Sequence, residues 1–393
     1  MTITRNFSVL ANGAGSANNL SLGGATLGSN ALAVTGTASI SGGAYISNLG
    51  GANKIINGDM VIDQRNAGAS VTATTTGTFT YTVDRWYYFV AVASKFTIQQ
   101  NAGSVTPPTG FSKYLGITSS SAYTVGAAEY FTVAQNIEGY NAASLNWGTA
   151  NAQSATLSFW AYSSLTGTFG GCLTNATNAR SYPFTYTISV ANTWTNISVT
   201  VPGDTSGTWQ TTTSTGIEVF FGLGVGTTFS GTASAWAAAQ YFSATGATSV
   251  VGTSGAKFYF TGVKLEVGSI ATPFVPDDYQ VSFVKCQRYT RAITGNGSVQ
   301  VNNIAGFSLN ASSALTRLIL QPPMRAAPSL SVSGTYGIYG PGGAFAGTSI
   351  AASGDMSTEV FAPNIGTAGG QTANAVAMMY LDSGSKLLIV AEL

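Results

Sequence analysis

Where this chain is regular, it alternates. Leu157-Ser-Phe159-Trp-Ala161 and Ile197-Ser-Val199-Thr-Val201 carry an apolar residue at every second position, the repeat of a strand with one face in a core. Phe258 and Phe260, then Val263, Leu265 and Val267, continue the pattern near the middle of the chain. No stretch combines the length and the 3.6-residue repeat of a secure helix. The alanine-rich run Ala233–Gln240 is the nearest, and a short turn fits it. The 48 glycines, with abundant Ser, Thr and Asn, supply turns, while Thr, Val, Tyr, Phe and Trp favour pleated strands. The fold class expected is all-β.

At 393 residues the chain is too long for one ordinary core. Residues 1–52 hold single aliphatic residues (Leu20, Leu22, Leu27, Leu32, Val34, Ile40) spaced by Gly, Ser, Thr and Asn. One copy of such a segment cannot bury its apolar row, so an intertwined trimeric β-stalk or attachment segment is expected there, against the alternative of a Gly/Ser-rich leader. Residues 53–280 read as a large jelly-roll or β-sandwich domain, with turn clusters such as Pro202-Gly203-Asp204 between short strands. Residues 281–393 read as a smaller β-sandwich domain. The joint is the stretch Phe260–Ile293, where a strand is broken by Pro273 and Pro276 and resumes at Cys286-Gln287-Arg288-Tyr289.

Charge is scarce. Only 7% of residues are charged, and 15 basic against 14 acidic residues leave a net charge of +1. Such a chain has no means of neutralising a run of phosphates, so no nucleic acid and no charged membrane surface is expected as a partner. No stretch approaches the roughly 18 apolar residues that cross a bilayer, so no membrane insertion is expected. Strand edges without Lys or Glu invite pairing, and burying them in a symmetric oligomer is one remedy. The start of the chain has no apolar run of signal-peptide length, so synthesis in a cytoplasm is expected. Cys172 and Cys286 are read as buried thiols, with a single bridge between them left open.

The chain contains no histidine, which removes Ser-His-Asp and Cys-His catalysis and His-ligated zinc. No glycine-rich phosphate loop lies between a strand and a helix. No cofactor and no metal is expected. Paired carboxylates are the one enzymatic route left. Asp59, Asp63 and Asp84 lie near Arg65 and Arg85 and read as caps and ion pairs; Asp277-Asp278 reads as a turn, with calcium as the alternative.

Aromatic residues are the better candidates for binding, because flat rings beside amides and hydroxyls can hold sugar faces. Trp86, Trp160 and Trp194 lie in alternating strands and are expected in the core. Trp147, Trp209 and Trp236 have loop-like neighbours and are the candidate platforms, although a tryptophan in a β-domain is more often core than ligand contact. Tyr336 and Tyr339, in Gly-Thr-Tyr-Gly-Ile-Tyr-Gly, form a glycine-rich aromatic loop that could contact a receptor or simply pack.

Gly262-Val-Lys-Leu-Glu-Val-Gly268, Ala271-Thr-Pro-Phe274 and Cys286-Gln-Arg-Tyr289 together resemble a signature of bacteriophage tail-fibre and related virion proteins. Ile56-Asn-Gly-Asp59, Gln64-Arg65, Asp84-Arg-Trp86, Phe159-Trp-Ala161 and the Val201–Trp209 segment are similar too. The pattern departs at Val275, where an acid is usual, and at Thr290, where an aromatic is. The resemblance covers residues 53 to about 291, and residues 1–52 resemble fibre stalks. It implies a carbohydrate-binding-like jelly roll on a virion fibre and carries no catalytic residues. The expectation is a non-enzymatic tail-fibre protein, a homotrimer, joined to tail or baseplate proteins through its N-terminal segment. It would reside in the virion and contact a host surface polysaccharide or other receptor. Alternatives are a structural decoration or spacer, and a glycan depolymerase using two carboxylates.

Overall fold

The computed structural model describes residues 53–295 and 300–393; the expected stalk, 1–52, lies outside them. The first half contains β1 (Val71–Thr72), β2 (Thr80–Tyr81), β3 (Trp86–Val90), β4 (Phe96–Gln100), β5 (Leu115–Ser119), β6 (Tyr130–Glu138) and β7 (Ala155–Ser163). It continues through β8 (Gly167–Thr174), β9 (Ser181–Ile188), β10 (Thr195–Val201), β11 (Thr215–Val225), the short β12 (Ser230–Gly231) and β13 (Ser243–Ala244), and β14 (Lys257–Val267). Two six-stranded sheets form, in the orders β1-β4-β5-β14-β7-β10 and β2-β3-β6-β11-β8-β9. All their pairings are antiparallel, and their facing sides enclose one core, a β-sandwich of the jelly-roll type.

The alternation explains which side chains meet there. Leu157, Phe159 and Ala161 of β7, Ile217, Val219 and Phe221 of β11, and Phe258 and Phe260 of β14 all point inward. The rings pack closely: Phe221 on Phe260 at 4.6 Å, Phe159 on Phe221 at 5.0 Å and Trp86 on Phe260 at 5.1 Å between centroids. Each fully buried Phe contributes about 1.5–3 kcal/mol over leaving it in water.

The inward set of β14 changes phase, from even positions (258, 260) to odd ones (263, 265). A bulge between Thr261 and Lys264 inserts one residue. Gly262 sits there at φ +63, a left-handed value that a glycine takes without a Cβ clash.

The second half contains β15 (Thr290–Thr294), β16 (Gln300–Asn310), β17 (Ser313–Thr316), β18 (Leu318–Ile319), β19 (Ser329–Ser333), β20 (Tyr336–Gly340) and β21 (Gly343–Ala352). It ends with β22 (Val360–Phe361), β23 (Pro363–Thr367), β24 (Val376–Leu381) and β25 (Lys386–Val390). Strands β16-β17-β23-β21-β20-β24 close into a barrel, and β15-β25-β19 form a separate three-stranded sheet. Ile338, Met379 and Leu381 of the barrel share a core with Leu387 and Ile389 of that sheet. The two layers of the expected smaller sandwich are therefore a closed barrel wall and an open sheet.

One local expectation changes and another holds. Tyr279–Gln287 is a helix, where a resumed strand was expected; only Ser282 and Cys286, one turn apart, are buried, so apolar spacing gives no helical signal. Ala233–Gln240 is turn and bend with an isolated bridge from Ala237 to Ser181. Both cysteines are buried and unbridged.

The joint between the halves is a buried polar network. The Glu392 carboxylate meets the guanidinium of Arg85, and that of Arg65 at 3.3 Å, and accepts from the Thr290 hydroxyl at 2.9 Å. Arg85 lies over the Tyr289 ring at 3.6 Å. The Tyr289 hydroxyl and Arg288 donate to Glu138 at 2.5 and 2.6 Å. Burial would raise the Glu138 carboxyl, but these donors outweigh it and hold the group below its ordinary range. Gln64 donates to Asp84 and to the Thr290 carbonyl, and Trp86 donates to the Asn57 carbonyl.

Candidate functional site

The three loop tryptophans meet. Trp147, Trp209 and Trp236 come from three different connections, and their rings lie 4.8, 5.3 and 5.5 Å apart, edge to face. Yet Trp147 is only 6% exposed, a correction to its reading as an exposed platform. Each indole N–H is already used: Trp147 on the Gln153 carbonyl, Trp209 on the Ser206 carbonyl and Trp236 on the Pro202 carbonyl. Arg180 pairs with Asp204 at 2.6 Å and lies 5.9 Å from the Trp236 ring. Beside the cluster is a small cavity of about 110 Å³. The group ties the loops of one end of the sandwich together, with Trp209 and Trp236 partly exposed at its rim.

Tyr336 and Tyr339 lie on β20 of the barrel and are not brought to the tryptophans. Tyr336 packs against the barrel core; Tyr339 is 40% exposed.

The outward side of the first sheet holds a different arrangement, covered over β14, where Thr261, Lys264 and Glu266 are buried, and open over β10, where Asn196, Ser198 and Thr200 are exposed. Its outward residues form rows across β14, β7 and β10. Thr261, Trp160 and Asn196 make one row; Lys264, Ser158 and Ser198 the next; Glu266, Thr156 and Thr200 the third. At one end, Tyr259 stacks on Tyr162 at 5.3 Å and on Tyr114 at 5.2 Å, with Trp194 against Tyr162 and its N–H on the Thr106 carbonyl. At the other end, Lys264 and Glu266 pair at 3.0 Å under the Thr272 hydroxyl. Phe111 and Trp160 flank Gly262, where a Cβ would come within 2.6 Å of the Phe111 ring and 3.3 Å of the indole.

Trp160 is partly exposed, not core, and Trp194 likewise; Trp86 is buried as expected. The flanking residues Phe159 and Ala161 point inward, so Trp160 must point out. That signal stood in the sequence and the grouping of Trp160 with the core overlooked it. Among the described residues, the Trp160 indole N–H, the Asn196 amide and the Ser158 and Ser198 hydroxyls have no side-chain hydrogen-bond partner. The exposed part of the face thus presents the Trp160 ring, the Asn196 amide and the Ser198 hydroxyl with open valences, and the Ser158 hydroxyl lies nearly buried beneath them.

The acids are mostly engaged elsewhere. Glu138, Asp204, Glu266 and Glu392 are ion-paired. Glu218 is 3% exposed, with the Thr174 hydroxyl at 3.1 Å as its side-chain partner, and desolvation pushes its carboxyl up to about 8. Among the described residues no three His, Cys, Asp or Glu side chains cluster as a metal site would need.

No family model matches the chain, and no curated protein matches it. Among solved structures it is similar to the enzymatically active domain of tailspike protein 4 of bacteriophage CBA120, at 12% identity and TM-score 0.29, over 55% of this chain and 21% of that one. A CBM4 structure matches at 14% identity and TM-score 0.27, over 54% of this chain and 98% of that one. The family 11 carbohydrate-binding module from Clostridium thermocellum, solved with a beta-1,3-1,4-mixed-linked tetrasaccharide, matches at 12% identity and TM-score 0.27, over 52% and 99%. Likenesses at this level carry nothing about ligand or chemistry; the site is read from its own geometry.

Proposed function

We propose that this chain is a non-catalytic glycan-recognition protein that attaches a bacteriophage tail fibre to a host surface polysaccharide through the outward face of β7 and β10. The observation that carries the reading is Trp160, a partly exposed indole with an unused N–H, set between Asn196 and Thr261 on a face of hydroxyls. An apolar ring face covers the C–H side of a sugar, while neighbouring amide and hydroxyl groups exchange hydrogen bonds with its edge. The absence of net charge suits a neutral glycan. The resemblance of the joint motifs to fibre proteins supports the virion setting and the homotrimer. So do the exposed apolar residues Ile270, Val275, Tyr279, Val281 and Val284 in a chain so poor in charge. Several identical sites would then give avidity from a modest single-site affinity.

The test is retention of the purified protein on host cells and on extracted host polysaccharide. Trp160→Ala should weaken retention at least about tenfold, or roughly 1.4 kcal/mol, while Trp147→Ala should lower stability and leave retention unchanged per folded molecule. Equal retention of Trp160→Ala and the parent would refute the site; release of reducing ends from the polysaccharide would refute the non-catalytic reading.

A further inference from the structure

A second cavity lies at the edge of the same sheet, beyond the Lys264–Glu266 pair. The segment Asn53–Gly58 runs beside the second half of β14, held by Lys54 on the Leu265 carbonyl at 2.9 Å and by Val263 on the Gly58 carbonyl at 2.9 Å. The strap 272–277 and the helix Tyr279–Gln287 complete the walls. Between them is a cavity of about 470 Å³, within the size range of small-ligand sites.

Its lining divides sharply. Phe274, Ile55, Pro273, Val275 and Pro276 are apolar, and Phe274 packs so tightly on Gly58 that a Cβ there would lie 3.3 Å from its ring. Most of the polar lining is already engaged. Asn57 bonds the Ile62 and Asp84 carbonyls, Asn53 bonds the Val263 carbonyl, Lys264 pairs with Glu266, and Lys285 pairs with Asp277 at 2.5 Å.

Two groups are left. Asp59 is 7% exposed and Ser282 is 3% exposed. Neither side chain has a side-chain partner or a salt bridge among the described residues. Burial, with the nearby Asp277 charge adding to it, raises the Asp59 carboxyl, against the backbone amides of Asp59 and Val61. A nearly buried carboxylate without a counter-charge is costly, and the strongest relief is a ligand that brings hydrogen donors to it.

We propose that this cavity binds a single pyranose ring, its hydroxyl groups donating to Asp59 and Ser282 and its C–H face lying on Phe274. The proposal rests on the glycan reading above, but uses a site that shares with the Trp160 face only Lys264 and Thr272 at its far end. It would let one chain hold a terminal sugar in the cavity while the open face holds the chain of the polysaccharide.

The experiment is saturation-transfer NMR and calorimetry of the full chain with D-glucose, D-galactose, D-mannose and N-acetyl-D-glucosamine. We expect at least one to bind with a millimolar dissociation constant, Asp59→Asn to weaken it about fivefold or more, and Ser282→Ala about twofold to threefold. Trp160→Ala should leave monosaccharide binding intact while losing polysaccharide. No binding of any of the four, or binding that Trp160→Ala abolishes and Asp59→Asn and Ser282→Ala do not weaken, would overturn the cavity while leaving the open face standing. Should Asp59→Asn fail to fold, Ser282→Ala alone decides: an affinity equal to the parent's overturns the proposal.

Discussion

Glu218 offers a test of the structure that needs no ligand. It lies on the outward side of β11, near Tyr81, Tyr87 and Cys172, and is 3% exposed. No cation pairs with it among the described residues, and its one side-chain hydrogen bond is from Thr174 at 3.1 Å. Desolvation places its folded pKa at about 8 against an ordinary value of 4.5. The sign follows from proton counts. Below pH 4.5 both states are protonated and the group is neutral to stability. Above it the unfolded chain releases the proton and the folded chain keeps it, so stability falls as pH rises and levels off beyond pH 8. At about 1.36 kcal/mol per unit, the loss is on the order of 3 kcal/mol by pH 7 and about 5 kcal/mol above pH 8. Glu218→Gln replaces the carboxylic acid by a neutral isostere whose carbonyl still accepts from Thr174. The variant should match the parent near pH 5 and exceed it by roughly 3 kcal/mol at pH 7. For a unit the size of the sandwich, that is about 6–12 °C in melting temperature. Melting and urea titrations of both proteins from pH 5 to 9 read this directly. Asp84, raised by burial to about 7, titrates alike in both and cancels in the difference. A parent–variant difference that stays flat across that range would refute the buried, unpaired placement of Glu218.

The joint makes a second prediction. Glu392→Gln strips the counter-charge from Arg85 and Arg65 and should cost about 3–5 kcal/mol, and Arg85→Met in the same chain should recover part of that loss; strictly additive urea midpoints would show that the two side chains do not form a buried pair. The homotrimer is checked by multi-angle light scattering of the full chain, which should give three times the chain mass; a monomer at micromolar concentration would sink it.

What could be read from the sequence depended on distance along the chain. Strands such as β7, β10 and β14 were legible because alternation is local, and even the bulge at Gly262 shows as the phase change from Phe260 to Val263. Trp160 was legible by the same rule, since its neighbours on either side are inward. Trp147 was not. Its Asn and Gly neighbours suggest a tip, but Trp209 and Trp236, some 60 and 90 residues on, fold over it, and no local pattern reports such a contact. The helix Tyr279–Gln287 was hidden because Tyr279, Val281 and Val284 face outward and Ser282 and Cys286 inward, the reverse of the usual apolar stripe.

Several of the motifs that resemble fibre proteins share a place. Asn57, Gln64-Arg65, Asp84-Arg85-Trp86 and Arg288-Tyr289 all enter the network around Glu392 and Glu138, and Gly262, Lys264 and Glu266 frame the bulge and the ion pair beside it. A buried polar network is sound only when every member is present, because each missing partner strands a desolvated group. Replacing one of these residues alone therefore strands its partners. The open face is under no such constraint: Ser158, Asn196 and Ser198 engage no other side chain, so replacing any of them disturbs no partner. The fragments thus mark the joint and, through Trp160, Asp59 and Phe274, one wall of each proposed site, while Ser158, Asn196 and Ser198 beside Trp160 lie outside them.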